Sequence, residues 1–213
     1  MKEGFEPKLF KNYNLTPAEQ LKLDNFLKEN LEQPSKSLIT SPNLFVSKKD
    51  GKLWLCQDYW YLNDWTKKNS YPLLLILNIM DKLKGAKYFT KMDVHWGYNN
   101  IQIWKGDEWK ATFKTNKVLF EPTVMFFRMC NSPAMFQSMM DKIFVIMIKR
   151  KLVIIYMDNI LIFAKTKEEL KQIMKLVLES LEKTTYFSKQ KNVNLKRWRL
   201  NTLEWSLKKD KFL

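Results

Sequence analysis

Leu152-Val153-Ile154-Ile155-Tyr156-Met157-Asp158-Asn159-Ile160-Leu161-Ile162-Phe163 is the stretch whose reading decides the fold. Two β-rich runs are broken by one polar pair, the pattern of a hairpin with Asp158-Asn159 at its tip. Upstream, Tyr88-Phe89-Thr90-Lys91-Met92-Asp93-Val94 reads as a strand that runs into Asp93. Asp93 and Asp158 each follow an apolar strand run, so each stands at the rim of a sheet. A carboxylate in that position is more often a turn former than a metal ligand. Two of them can nevertheless hold Mg²⁺ if their strands are neighbours, and a two-metal site aligns an attacking oxygen with a phosphate. Spacing alone leaves both readings open.

Around this hairpin the helical signals are clear. Thr16-Pro17-Ala18-Glu19 supplies an N-cap, a proline at the first helical position and the Glu of a capping box. Leu21, Leu23, Phe26, Leu27 and Leu31 follow at helical spacing, which predicts a helix over 17–31. Leu44–Val46 and Leu53–Cys56 read as two strands around a basic turn signalled by Asp50-Gly51. After Pro72 an apolar stretch predicts a short helix ending near Gly85, and strand character continues over 100–103 and 110–115. Ser132-Pro133 opens a helix with Ala134, Phe136, Met139, Met140, Ile143, Phe144 and Met147 on its apolar side. Thr166-Lys167-Glu168-Glu169 is a second capping box, starting a helix to about Lys183. Interleaved strands and helices predict an α+β fold, a sheet with helices packed on it.

Composition excludes more than it suggests. The 213 residues carry 37 Lys+Arg against 22 Asp+Glu, a net charge of +15, which points to a polyanionic partner without naming it. Two cysteines, Cys56 and Cys130, and one histidine, His95, give no zinc-ligand spacing and no disulfide framework. The apolar runs fall far short of the ~20 residues a bilayer needs, and the first residues lack a signal core, so no membrane partner and no secretion are expected. Cytoplasm and nucleus stay open.

The wording of the motifs goes further. Tyr156-Met157-Asp158-Asn159 resembles the Tyr-x-Asp-Asp hairpin of reverse transcriptases. Asp58-Tyr59-Trp60-Tyr61-Leu62-Asn63, Lys68-Asn69-Ser70-Tyr71-Pro72-Leu73, Gly85 to Val94 and Asn131-Ser132-Pro133-Ala134-Met135-Phe136-Gln137 stand in that family's order. The chain is similar to the RNA-directed DNA polymerases of gypsy-type long-terminal-repeat retrotransposons. Trp96-Gly97-Tyr98-Asn99-Asn100 is similar to a variant of fungal elements.

The resemblance implies the right-hand fingers and palm of a polymerase across 16–190, with an antiparallel palm sheet, packed helices and a thumb absent or only begun. Fingers are expected over about 16–90 and 105–125, and palm over about 88–104 and 125–190. Residues 1–15 read as a leader or linker, and 191–213 as a basic tail or the start of the thumb connection. No RNase H, integrase or protease segment is legible. By the same resemblance, Asp93 and Asp158 are the catalytic aspartates that bind Mg²⁺ or Mn²⁺. Tyr98 lies beneath the incoming sugar, Phe127 at the nascent base pair, and Lys48 and Lys49 on the hairpin that touches triphosphate and template. Partners implied are an RNA or DNA template-primer and deoxynucleoside triphosphates.

Departures from the family's pattern fall at the phosphate-handling positions. Asn159 replaces the second hairpin aspartate and removes a full negative charge. Trp54 replaces an arginine that grips the triphosphate, so a bidentate cation becomes a single N–H donor. Trp60 and His95 also stand for arginines, Arg128 for a glycine and Val118 for another. Several of these changes share the form of a single C-to-T or G-to-A substitution, as expected of a decayed copy. Two functions therefore compete: a polymerase impaired at Asn159, and a catalytically dead nucleic-acid-binding remnant.

Overall fold

Tyr88–Val94 forms the strand that the sequence predicts, and it is an inner strand of the principal sheet. A computed structural model describes residues 1–30, 33–47, 51, 53–72, 76–94, 97–116, 118–189 and 200–206. In chain order the elements are α1 (Pro17–Asn30), β1 (Gln33–Pro34), β2 (Asn43–Ser47), β3 (Leu53–Gln57), α2 (Trp60–Trp65) and α3 (Ile76–Leu83). They continue with β4 (Tyr88–Val94), β5 (Phe113–Lys114), β6 (Leu119–Glu121), α4 (Ser132–Ile143) and α5 (Val145–Lys149). The hairpin strands β7 (Val153–Tyr156) and β8 (Asn159–Ala164), the long α6 (Lys167–Lys189) and β9 (Leu200–Ser206) complete the order. Among the described residues no helix is long and apolar enough to cross a membrane.

The chain divides into two compact units, the first built from Met1–Lys68 with Ile101–Ser132 and the second from Asn69–Asn100 with Pro133–Leu213. In the first unit Tyr59, Leu62, Ala111, Phe113, Phe126 and Met129 form one buried cluster. The Tyr59 hydroxyl satisfies itself within it by donating to the Ala111 carbonyl at 3.0 Å. β2 pairs antiparallel with β3 in the register Asn43↔Gln57 to Ser47↔Leu53. A second small sheet has the order β1-β6-β5. Residues 1–15, expected as a leader or linker, lie along this unit: Leu9 bridges Thr40, and Phe5 and Phe10 pack their rings on Tyr61. Thr40, only 1% exposed, takes the Phe10 N–H at 3.0 Å and donates back to the Phe10 carbonyl. A buried hydroxyl is thereby satisfied twice over, and the segment is tied down.

The second unit is a four-stranded antiparallel sheet of order β7-β8-β4-β9. Val153, Ile154, Ile155, Ile160, Ile162, Phe163 and Ala164 of the hairpin strands are buried. One stripe of α6, Leu170, Ile173, Val177 and Leu181, is buried at helical spacing, and the helix packs on β8 and β4. The first predicted capping box forms in full, the second only in part. Thr16 Oγ1 accepts the Glu19 N–H while the Glu19 carboxylate takes the Thr16 N–H at 2.8 Å, which holds that carboxyl below its usual range. Thr166 Oγ1 accepts the Glu169 N–H at 3.2 Å, but the Glu169 carboxylate takes the N–H of Lys165, at 3.0 Å, rather than that of Thr166.

Three local expectations are corrected. The helix expected from Ser132 through Met147 breaks at Phe144, which lies outside helical geometry (φ −103°, ψ 16°) although its side chain is buried. The strand character over 100–103 and 110–115 survives only in pieces. Gly97–Asn100 and Glu108–Ala111 are 3₁₀ turns, Gln102 makes one bridge to Val124, and β5 has two residues. The hairpin tip sits one residue earlier than the polar pair suggests: Tyr156 pairs with Asn159, so the turn is Met157-Asp158 and Asn159 belongs to β8. Leu31, Lys48, Lys49, Asp50, Leu73, His95, Trp96 and the residues 190–199 and 207–213 lie outside the described residues, and with them those expectations.

Candidate active site

β4 and β8 carry the candidate acidic residues because their register brings two strand ends together. Asp93 lies directly opposite Asn159, and the Val94 N–H donates to the Asp158 carbonyl at 2.7 Å. Asp158 is the second residue of the turn and is exposed, while Asp93 and Asn159 are half-buried. Asn159 Nδ2 donates to Asp158 Oδ1 at 3.1 Å, where an aspartate would repel the same oxygen. Asp93 Oδ1 is shut off from solvent without an aligned hydrogen bond, and Lys91 Nζ lies 2.9 Å from it. Among the described residues no three of His, Cys, Asp and Glu converge as a metal centre. Asp93 and Asp158 therefore contribute the carboxylates, and Asn159 only an amide.

The turn between them is strained and braced. Met157 has φ 53°, a left-handed conformation that costs a side-chain-bearing residue ~1–2 kcal/mol. A positive φ at a turn residue is normally taken by glycine. Gln137 of α4, 1% exposed, holds the turn: its Oε1 accepts the Met157 N–H at 3.0 Å. Its Nε2 donates to the Ile155 carbonyl at 3.1 Å and to Asp141 Oδ1 at 2.9 Å. Asp141 Oδ2 in turn accepts the Tyr71 O–H at 2.7 Å.

Tyr98 completes the group in the second unit. It is half-buried and meets Phe136 edge to face, with centroids 5.5 Å apart. Burial, and next the charge of Asp158, push its phenol above the ordinary value. Gly97 precedes it because nothing larger fits: a Cβ there would stand 2.8 Å from the Phe136 ring. Of the sequence candidates, Asp93, Asp158, Asn159 and Tyr98 thus come together.

Trp54 and Phe127 belong to the first unit. Trp54 is half-buried on β3 opposite Val46, and Phe127 is exposed in a turn with Arg128. Arg128 has φ 76°, so a glycine-type conformation is imposed on an arginine. Asn63 secures that turn, donating to the Arg128 carbonyl at 2.7 Å and accepting the Cys130 N–H at 2.8 Å. Sequence reasoning assigned no role to Gln137, Asp141 or Lys91. The one available signal was Gln137 itself, an amide on the otherwise apolar side of its helix.

Residues 46–201 match the family model described as reverse transcriptase (RNA-dependent DNA polymerase). The chain belongs to the reverse transcriptase family. It is 36% identical over 176 residues to the Transposon Tf2-7 polyprotein of Schizosaccharomyces pombe, covering 81% of this chain and 13% of that protein. The Transposon Tf2-3 polyprotein of the same organism is 35% identical over the same length, with the same coverage. The chain therefore spans about an eighth of the length of these relatives. Among solved structures, a foamy viral protease–reverse transcriptase in complex with RNA/DNA hybrid is similar with a TM-score of 0.74 at 20% identity, over 84% of this chain and 24% of that one. A dRH form of that enzyme in complex with double-stranded DNA gives 0.70 at 23% identity, over 83% and 32%. The fold is that of a reverse transcriptase polymerase domain, α+β with antiparallel sheets and packed helices.

Proposed function

We propose that this reverse transcriptase domain comes from a retrotransposon and adds deoxynucleotides to a primer 3′-hydroxyl on an RNA or DNA template, at a rate limited by Asn159. The first unit corresponds to fingers and the second to palm. The observation that carries this reading is the pairing of Asp93 with Asn159 across β4 and β8, with Asp158 in the adjoining turn. The Tf2 polyproteins support the retrotransposon origin, and the foamy viral complexes support a template-primer as partner.

The residues fit a hard divalent cation, Mg²⁺ or Mn²⁺. Asp93 offers a carboxylate oxygen that has no aligned hydrogen bond, Asp158 an exposed carboxylate, and Asn159 an amide carbonyl of the kind such ions accept. A bound ion would supply charge stabilisation for the reacting phosphate and lower the pKa of the attacking hydroxyl. Asp93 and Asp158 would fix its position, and β8 and β4 would keep them in register. Tyr98, propped by Phe136, would form the floor under the incoming sugar. Lys48, Lys49, Trp54 and Phe127 are assigned to triphosphate, template and base-pair contacts on the strength of the resemblance. Asn159 weakens the site because a neutral amide replaces one of three carboxylates, and Trp54 gives the triphosphate no bidentate cation.

A second reading, a nucleic-acid-binding remnant without chemistry, is favoured by the Asn159–Asp158 hydrogen bond, which satisfies a carboxylate oxygen within the protein. Primer extension on a primed RNA template with Mg²⁺ separates the two, using the unmodified chain, Asn159→Asp and Asp93→Ala. The expected result is extension by Asn159→Asp at least ~100-fold faster than by the unmodified chain, and none by Asp93→Ala. Equal rates for the unmodified chain and Asn159→Asp overturn the impairment. Silence from all three, with salt-sensitive template binding retained, establishes the remnant.

A further inference from the structure

Lys91 and Asp93 are one residue apart on β4, and a strand of period two turns both side chains to one face. Lys91 Nζ lies 2.9 Å from Asp93 Oδ1. That oxygen is closed to solvent, yet the Asp93 side chain as a whole is 36% exposed, so its exposure is carried by its other atoms. The contact is one of charge with charge rather than an aligned hydrogen bond, with the ammonium standing over one carboxylate oxygen. Asn159, directly opposite, brings no compensating charge. Lys91, Asp93, Asp158 and Asn159 together carry two carboxylates and one ammonium, a net charge of one negative unit.

We propose, resting on the reverse transcriptase reading of this site, that Lys91 is its resident counter-ion. The ammonium occupies Asp93 when no divalent ion is bound, and it competes with the ion for that carboxylate. An ammonium and a divalent cation cannot share one oxygen at contact distance, since like charges a few Å apart repel by several kcal/mol even at an effective dielectric of ~20. Metal binding through Asp93 Oδ1 therefore requires Lys91 to swing away. Its side chain is 43% exposed and has a flexible four-carbon stem, so the movement needs no backbone change. In a chain with Asn159 in place of a third carboxylate, this competition weighs more heavily, because the remaining negative charge is small.

The test is Mn²⁺ binding to the full chain, read as loss of the free-ion paramagnetic resonance signal. The variants are Lys91→Met, Lys91→Gln, Lys91→Arg, Asp93→Asn and Asn159→Asp, each checked for folding by circular dichroism. Lys91→Met and Lys91→Gln are expected to bind Mn²⁺ about tenfold more tightly than the unmodified chain, the full interaction being reduced by solvent and salt. Lys91→Arg keeps the charge and is expected to stay within about twofold. The gain must vanish when Asp93→Asn is added. If Asn159→Asp binds Mn²⁺ but removing the Lys91 charge gains nothing, the counter-ion role is overturned while the metal site stands. If no variant binds Mn²⁺ at the candidate carboxylates, the metal site itself is overturned and the inference falls with it.

Discussion

Gln137 Oε1 accepts the Met157 N–H at 3.0 Å, joining a buried side chain of α4 to the turn that carries Asp158. This one amide makes three hydrogen bonds, accepting from Met157 and donating to Ile155 and Asp141. Gln137→Leu would leave the Met157 N–H and the Ile155 carbonyl without this partner. The expected loss is about 2–4 kcal/mol, read from urea unfolding. Gln137→Glu keeps the acceptor for Met157 but loses the donor to Ile155 and sets a second carboxylate against Asp141, so it is expected to lose at least as much at neutral pH. A change below ~0.5 kcal/mol in both variants would show that the turn is held by other contacts.

Met157 itself is the strained member of that turn. Its φ of 53° suits glycine, and the Gln137 hydrogen bond is to backbone, so Met157→Gly retains it. Relief of the left-handed conformation favours glycine by ~1–2 kcal/mol, and lost side-chain packing plus unfolded-state entropy takes part of that back. A net change between zero and a gain of ~1 kcal/mol is expected in urea unfolding, where glycine in an ordinary strand position would cost. A loss above ~1 kcal/mol would mean that the methionine side chain is worth more than its strain.

Arg128 poses the same question on the surface, without the packing term. It is exposed, has φ 76° and stands in a turn that Asn63 grips from both sides. Arg128→Gly is expected to raise stability by ~1 kcal/mol, a rise of ~2–4 °C in Tm for a chain of this size. Arg128→Ala should gain almost nothing, because a Cβ at positive φ meets the same clash. Equal gains from both variants would assign the effect to the arginine's charge instead.

What the sequence disclosed and what it hid follow from how local each feature is. β4, β7, β8 and the buried stripe of α6 are written in periodicity, and the two capping boxes in residues three apart, so these were legible. The turn was misplaced by one residue because its position is fixed by Gln137, 20 residues away in the chain. Polar residues mark a turn statistically, but the tertiary hydrogen bond put Met157 there. The break at Phe144 was hidden because an apolar residue carries the same pattern on either side of a kink. Asp93 and Asp158 are candidates already as carboxylates at strand ends and Tyr98 through the resemblance, whereas Lys91 shows its relation to Asp93 only once the side chains are placed. Residues 1–15 gave no period because they are held by ring contacts and one buried threonine rather than by a repeating face.

Tyr71 and Asp141 give the fold a dependence on alkaline pH. The Tyr71 O–H donates to Asp141 Oδ2 at 2.7 Å, and that hydrogen bond, then burial, then the carboxylate's charge raise the phenol above its ordinary 10.0. The neutral phenol is thus favoured in the folded chain. Because the folded value lies above the unfolded one, the contribution is fully present below pH ~10 and is lost as pH rises through the raised value. Comparison of the unmodified chain with Tyr71→Phe cancels the lysines and other tyrosines that titrate in the same range. The difference in unfolding free energy is expected to be about 1 kcal/mol at pH 7–9, modest because the pair is partly solvated, and to shrink steadily above pH 10. In an Asp141→Leu background the acceptor is gone, and the difference should be small at every pH. A Tyr71→Phe difference that persists unchanged through pH 11 would show that the ring's packing, rather than its hydrogen bond to Asp141, is what the tyrosine contributes.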